Sequence, residues 1–313
     1  MNLPVFQHLA TSQNILIAGA GGGFDVFAGL PLYFWLRDQG KTVHLANWSF
    51  ASLAHCEEKP LSQLAVVRGN TYGSSEYFPE KYLAQWLESQ GDRTPVHAIE
   101  PGGVKPVLRA YEWMAERLGF DTLILIDGGT DILMRGDECG LGTPQEDIAS
   151  LAAAHESKGG LRKLVICLGL GVDTHHGVCH AHFLENAAAI AADGGHLGTW
   201  SLLWEMPEAR LYVEVVKFVH QRMPARPSIV NTSIVNAVKG RFGDVHATER
   251  TRGSRLFINP LMSQYWAFDL EAVASRNRYL ARLLTTDTYH EVTSRIANYH
   301  RQQKHRPWTE IPI

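Results

Sequence analysis

The sequence has few cysteines and no cluster of basic residues. Its four cysteines include no C-x-x-C pair, so we expect neither a disulfide framework nor a cysteine-based structural zinc site. The formal net charge of the 313 residues is -3. Because nucleic-acid binding normally requires a basic face, we expect no nucleic-acid partner.

Long apolar runs and targeting signals are also missing. No apolar run reaches the roughly 18 residues that a transmembrane helix needs. Residues 1–11 lack the charged and then apolar pattern of a signal peptide. We therefore expect a cytoplasmic protein without a membrane partner.

Short apolar runs alternate with stretches of helical periodicity along most of the chain. Runs such as Thr122–Ile126 and Lys163–Leu168 predict strands buried on both faces. The alternation predicts an α/β Rossmann-like fold, with a mostly parallel sheet, helices on both faces and a helical C-terminal extension. No linker and no repeat divides the chain, so we predict one domain over residues 1–313, with residues 265–313 as a helical part packed on it.

Several helix boundaries follow from local patterns. Helical spacing of apolar residues runs from Phe24 to Leu36, from Val178 to Ala192 and from Phe268 to Leu284. The stretch Thr143–Glu146 has the pattern of a capping box with proline at the first helical position. We expect this pattern to start a helix that runs to about His155.

A glycine-rich turn follows the first predicted strand. Gly21, Gly22 and Gly23 allow the backbone to approach a ligand closely. The dinucleotide fingerprint G-x-G-x-x-G fails at its third glycine, where Phe24 stands, and Asp25 would repel a pyrophosphate. We assign the three glycines and Asp25 to ligand binding in a composite pocket; the alternative is a structural turn with Asp25 at the positive end of a helix dipole.

Two asparagines extend this predicted ligand-binding set. Asn47 ends the second predicted strand, where a dinucleotide-binding fold has an acidic residue for the ribose, and its side chain is able to bond a hydroxyl group. Asn70 lies in a turn-rich loop after the third predicted strand. Loops of this kind commonly carry ligand contacts.

Acidic and imidazole groups follow three of the predicted strands. Asp25 follows the first, Asp127 and Asp131 follow the strand that ends at residue 126, and Asp173 and His176 follow the strand that ends at residue 168. In a parallel sheet these turns share one edge, where open α/β sheets bind ligands. We predict that Asp127, Asp131, Asp173 and His176 are catalytic and hold a metal ion or activate water.

The densest group of histidines follows Asp173. If a helix begins by His176, His176 and His180 share one of its faces, and Asp173 at its entrance completes a divalent-metal site. We therefore predict Asp173, His176 and His180 as metal ligands. Alternatively, one of these histidines is a general base oriented by an aspartate.

The motifs Gly19–Asp25, Asp127–Asp131 and Asp173–His176 resemble those of an uncharacterised family of archaeal and bacterial proteins that is catalogued as a domain of unknown function. The resemblance extends over most of the chain and implies a Rossmann-like fold without a known activity. More loosely, Gly19–Gly21 followed by Ala28–Pro31 is similar to the opening of the sirtuin class of NAD-binding proteins. The Gln-Asn-Ile-Asp motif and the paired zinc cysteines of sirtuins are absent, which argues against deacylation.

These observations favour an enzyme that acts on a small molecule. We expect a nucleotide-like or phosphorylated ligand at the C-terminal strand ends and a hydrolase or group-transferase reaction. Two alternatives stay open: a non-catalytic nucleotide sensor in the same cleft, and a metal-dependent hydrolase without a nucleotide. The cofactor is open between a divalent metal ion and a nucleotide such as NAD, and the helical C-terminal region is compatible with a homo-oligomer.

Overall fold

The computed structural model describes residues 2–246 and 256–311. Its strands are β1 (Asn14–Gly19), β2 (Thr42–Trp48), β3 (Leu64–Val67), β4 (Val96–Ile99), β5 (Thr122–Asp127), β6 (Arg162–Leu168), β7 (His196–Ser201), β8 (Gly243–Asp244), β9 (Phe257–Ile258) and β10 (Gln264–Asp269). Eight of them form one sheet in the spatial order β3-β4-β2-β1-β5-β6-β10-β7, and β8 pairs with β9.

Helices connect most of the strands. They are α1 (Pro4–Thr11), α2 (Asp25–Ala28), α3 (Leu30–Asp38), α4 (Pro79–Ser89), α5 (Val104–Leu118), α6 (Pro144–Glu156), α7 (His180–Ala192), α8 (Pro207–Arg222), α9 (Ile229–Val238), α10 (Leu270–Arg276), α11 (Leu280–Leu283) and α12 (Tyr289–Arg301). In the described part of the chain, none of them is long and apolar enough to cross a membrane.

The five central strands of the sheet are parallel, and both of its edges contain antiparallel pairs. In register, Ile15 of β1 pairs with Val43 of β2 on one side and with Thr122 of β5 on the other. Along the chain, β2 and β4 take their places on one side of β1. The later strands β5 and β6 lie on its other side. The strand order therefore reverses between β1 and β5, which is where α/β sheets of this kind bind ligands. The predicted α/β Rossmann-like fold is confirmed.

Both faces of the sheet are buried because the central strands carry apolar side chains on both faces. In β1, Leu16 and Ala18 belong to the core under α5 and α6, whereas Ile15 and Ile17 belong to the core under α3, α4 and α8. Strands buried in this way read as continuous apolar runs rather than as alternating patterns. This is why the central strands could be located from the sequence.

The C-terminal part is helical only from Leu270 onward. The expectation of a helix from residue 268, and of a helical part from residue 265, is wrong at its start, because residues 264–269 form β10 between β6 and β7. Tyr265 packs in one core of the sheet and Phe268 in the other. A short apolar run fits a strand covered on both faces as well as it fits a helix.

Two other predicted helices start or divide differently. The helix expected over residues 24–36 is interrupted between α2 and α3, since Pro31 has no backbone N–H for a continuous ladder. The helix expected from Val178 begins at His180, because a short 3-10 helix over Val172–His176 precedes it and ends at Gly177, whose φ is +85°. This second difference moves the histidines of the predicted metal site.

Candidate active site

A cavity of about 300 Å³ opens at the carboxyl ends of the parallel strands, at the point where the strand order reverses. Six carboxylate side chains line it, namely Asp25, Asp127, Asp131, Glu146, Asp147 and Asp173. Among the described residues, no lysine or arginine lines this cavity; its basic groups are the imidazoles of His175 and His176. We call it the acidic cavity.

The glycine-rich turn forms one wall of the acidic cavity but uses its amides internally. The N–H of Gly21 donates to Oδ2 of Asp25 at 2.6 Å, and the N–H of Gly23 donates to the carbonyl of Trp48 at 2.9 Å. The Asp25 carboxylate therefore occupies a place that a phosphate would take in a phosphate-binding turn. All three predicted glycines line the cavity. The backbone at Gly22 has φ +99°, a conformation that favours glycine because other residues rarely adopt it.

The strand ends after β5 and β6 contribute the predicted aspartates. Asp127 is the last residue of β5 and accepts the N–H of Ile132 at 3.2 Å. Asp131 accepts the N–H of Thr143 at 2.7 Å, and Asp173 accepts the N–H of Thr130 at 2.8 Å. Backbone donors thus fix one oxygen of each carboxylate.

Two carboxylates come from α6, and the sequence prediction did not assign them to the site. Thr143 makes no side-chain capping bond, and Glu146 instead accepts the phenol of Tyr289 in α12 at 2.6 Å, so the predicted capping box is wrong. Asp147 is 1% exposed. The available signal was a charged residue four positions before Leu151 and seven before Ala154, on a face of the helix that carries no other charged residue.

Asp25, Asp127 and Asp147 converge on one point. Each offers a carboxylate oxygen, and the three oxygens lie within 4.8 Å of one another. Oδ1 of Asp147 is buried and has no hydrogen-bond partner. A hypothetical Cβ on Gly21 would lie 2.5 Å from Oδ2 of Asp25 and 2.9 Å from Oδ1 of Asp147, so the glycine makes room for this approach.

Burial among like charges raises the pKa values of these acids. Burial raises the pKa of Asp25 to about 7 and that of Glu146 to about 7, with nearby carboxylates adding to each effect. The pKa values of Asp127, Asp147 and Asp173 lie well above the ordinary aspartate value, first because of burial and then because of the Asp131 carboxylate. A cation in the cavity would remove this penalty, since an opposite charge favours the ionised form of an acid.

The structure separates the histidines of the predicted metal site. His176 lines the acidic cavity together with Asp173, and its ring lies 3.9 Å from that of His175 between centroids. His180 does not line it: its Nε2 lies 3.2 Å from the hydroxyl of Thr174, and its ring faces Trp308. The structure therefore does not bring His180 to the cavity with Asp173 and His176, because the helix that would align the two histidines begins only at residue 180.

The two predicted asparagines lie outside the acidic cavity. Asn47 is fully buried behind the glycine-rich turn, where its amide donates to the carbonyl of Gly23 and to Oε1 of Glu80, each at 2.8 Å. Asn70 is exposed in the loop before α4 and does not line the cavity. The structure does not bring either residue to the acidic cavity: Asn47 supports the turn, and Asn70 is a surface residue.

The rim of the acidic cavity is aromatic and apolar. Phe24, Phe50 and Tyr77 line it, and Phe50 is 50% exposed. The ring of Phe24 meets that of Tyr77 edge-on, with centroids 6.2 Å apart. Ser228, Ile229 and Val230, at the start of α9, also line the cavity, which brings the positive end of a helix dipole to it.

One protein-family model matches this chain. Its description is "Protein of unknown function (DUF1152)", and the match spans residues 57–301. The chain belongs to the DUF1152 family. The comparisons with curated proteins and with solved structures found no significant match. The predicted resemblance to an uncharacterised family is confirmed, and no similarity to sirtuins is shown.

Proposed function

We propose that this DUF1152 protein is an enzyme, a hydrolase or group transferase whose small-molecule substrate binds in the acidic cavity. The observation that carries the proposal is the convergence of carboxylates from β5, from the turns after β1 and β6, and from α6 at the reversal point of the sheet. Charged groups that are buried together in a cleft cost stability and are typical of functional sites.

The proposed roles follow from the position of each group. Asp131 and Asp173 are each held by a backbone N–H and line the cavity, so they are suited to orient water or a substrate hydroxyl. His176 lines the same cavity and is the proposed proton carrier. Tyr289 holds Glu146 in place from the C-terminal helix.

The charge of the acidic cavity restricts the substrate. A bare phosphate would meet six carboxylates without a lysine or arginine among the described lining residues. It would therefore enter as a complex with a metal ion, which favours a metal-dependent hydrolase over an enzyme that binds a free anion. The exposed ring of Phe50 at the rim supports a ligand with a planar ring, and a nucleotide-like molecule bound through a metal satisfies both conditions.

The proposal is tested by identifying the ligand and then measuring turnover. Mass spectrometry of small molecules released from the purified protein supplies candidate substrates. With a substrate in hand, we expect Asp131→Asn and Asp173→Asn to lower the turnover number at least about 100-fold. Asn70→Ala is the matched control, because Asn70 is a polar residue outside the cavity, and it should retain full activity.

Two results would contradict the proposed enzyme. Full turnover by both aspartate variants would place the reaction elsewhere. A tightly bound nucleotide that the protein never converts would instead support the nucleotide sensor.

A further inference from the structure

We infer that Asp25, Asp127 and Asp147 form a binding site for one divalent cation that prefers oxygen ligands, Mg²⁺ or Mn²⁺. The site differs from the histidine-containing set expected from the sequence. It goes beyond the proposed function, because ion binding can be measured without any turnover.

The distances suit a single ion. Ligand oxygens of an octahedral Mg²⁺ with bonds of about 2.1 Å lie about 3 to 4 Å apart. The three carboxylate oxygens lie within 4.8 Å of one another, so small side-chain rotations bring them to a common ion. All three residues line the acidic cavity, so water or substrate in the cavity would complete the coordination of the ion.

The hydrogen bonds orient two of the carboxylates and leave one oxygen of the third free. Asp25 and Asp127 each direct Oδ2 to a backbone N–H, which orients the carboxylate. Oδ1 of Asp147 is buried and unpartnered, although its side chain lines the cavity. Buried polar atoms without a partner are rare in native proteins, and a cation would satisfy this one.

The ligand atoms determine the class of ion. All three are carboxylate oxygens, which suit Mg²⁺ and Mn²⁺ rather than metals that favour sulfur or nitrogen. One thiol of the sheet, Cys167, pairs in register with Asp127, but it is fully buried and does not line the acidic cavity.

The glycine-rich turn has a specific part in this site. Gly21 lies against Asp25 and Asp147, and any side chain at residue 21 would force the two carboxylates apart. The φ of Gly21 does not lie in the left-handed region, so its backbone conformation does not require glycine. Glycine is needed there because the two carboxylates occupy the space that a side chain would fill. An alanine there would keep every predicted ligand and still disturb the site.

Titration of the metal-free full chain with Mn²⁺, followed by electron paramagnetic resonance of the free ion, tests the inference. We expect one Mn²⁺ per chain, displaced by Mg²⁺. Asp147→Asn and Gly21→Ala should each weaken Mn²⁺ binding at least about tenfold, because each disturbs the ligand geometry. His180→Gln is the matched control from the sequence-derived set and should bind Mn²⁺ as tightly as the wild type.

The outcomes are decisive for the ion site and separate from those for the enzyme. Wild-type protein that does not bind Mn²⁺, variants at residues 21 and 147 that bind it normally, or loss of binding in His180→Gln would each overturn the site. Circular dichroism identifies a variant that fails to fold, and the other variant then decides. Stoichiometric Mn²⁺ without turnover would support the ion site and count against the proposed enzyme alone.

Discussion

The buried carboxyl group of Glu80 should make the stability of the fold depend on pH. Glu80 is 0% exposed and accepts a hydrogen bond from Asn47, the residue that supports the glycine-rich turn. Burial raises its pKa from 4.5 to about 7, against the effect of the hydrogen bonds that it accepts. In the unfolded chain the carboxyl group is solvated and keeps its ordinary pKa.

The sign and size of the effect follow from this difference. Between pH 4.5 and about 7 the folded protein holds a proton that the unfolded chain releases, so the free energy of unfolding falls as the pH rises. At about 1.4 kcal/mol per pH unit, this interval corresponds to a loss of about 3 kcal/mol. The stabilising contribution is complete below pH 4.5 and is lost by about pH 8.

Urea unfolding of the wild type and of Glu80→Gln across this pH range isolates the effect. Glutamine keeps an oxygen for the Asn47 amide and does not titrate, and all other acids are common to both proteins. We expect the stability of Glu80→Gln relative to the wild type to rise by about 3 kcal/mol between pH 4.5 and about pH 8. A difference that stays constant with pH would refute the raised pKa of Glu80.

Two further substitutions test the walls of the acidic cavity. Tyr289→Phe removes the 2.6 Å hydrogen bond to Glu146 and should lower the free energy of unfolding by about 1 kcal/mol in urea denaturation; an unchanged value would show that the bond is not formed in solution. Gly22→Ala should cost about 1 to 3 kcal/mol, because the residue has φ +99° and its new Cβ would lie 3.0 Å from that of Trp48. Gly40→Ala, with φ +74° and open space around it, measures the backbone part alone, and equal losses in both variants would contradict the packing argument.

The sequence predicted the part of the molecule that short-range patterns determine. Apolar runs located β1, β5 and β6, and the polar turns after them placed Asp25, Asp127, Asp131 and Asp173 at one edge of the sheet. Parallel strands bring their carboxyl ends together whatever the details of packing. This is why those four acids could be grouped without a structure.

The rest of the site depends on packing between distant elements. Asp147 reaches the cavity because α6 lies against β5, and Tyr289 reaches Glu146 from 143 residues away along the chain. His180 does not share a helix face with His176 because the left-handed Gly177 ends one short helix before another begins. Neither the docking of a helix nor such a local interruption has a periodic signature in the sequence.

The most direct test of the acidic cavity as the functional centre is a crystal structure of the protein grown with Mn²⁺, with anomalous diffraction measured near the manganese edge. We predict one anomalous peak among the carboxylates of Asp25, Asp127 and Asp147, in the cavity that Asp173 and His176 also line. A peak at His180, or an ordered crystal without a peak in the acidic cavity, would contradict this account.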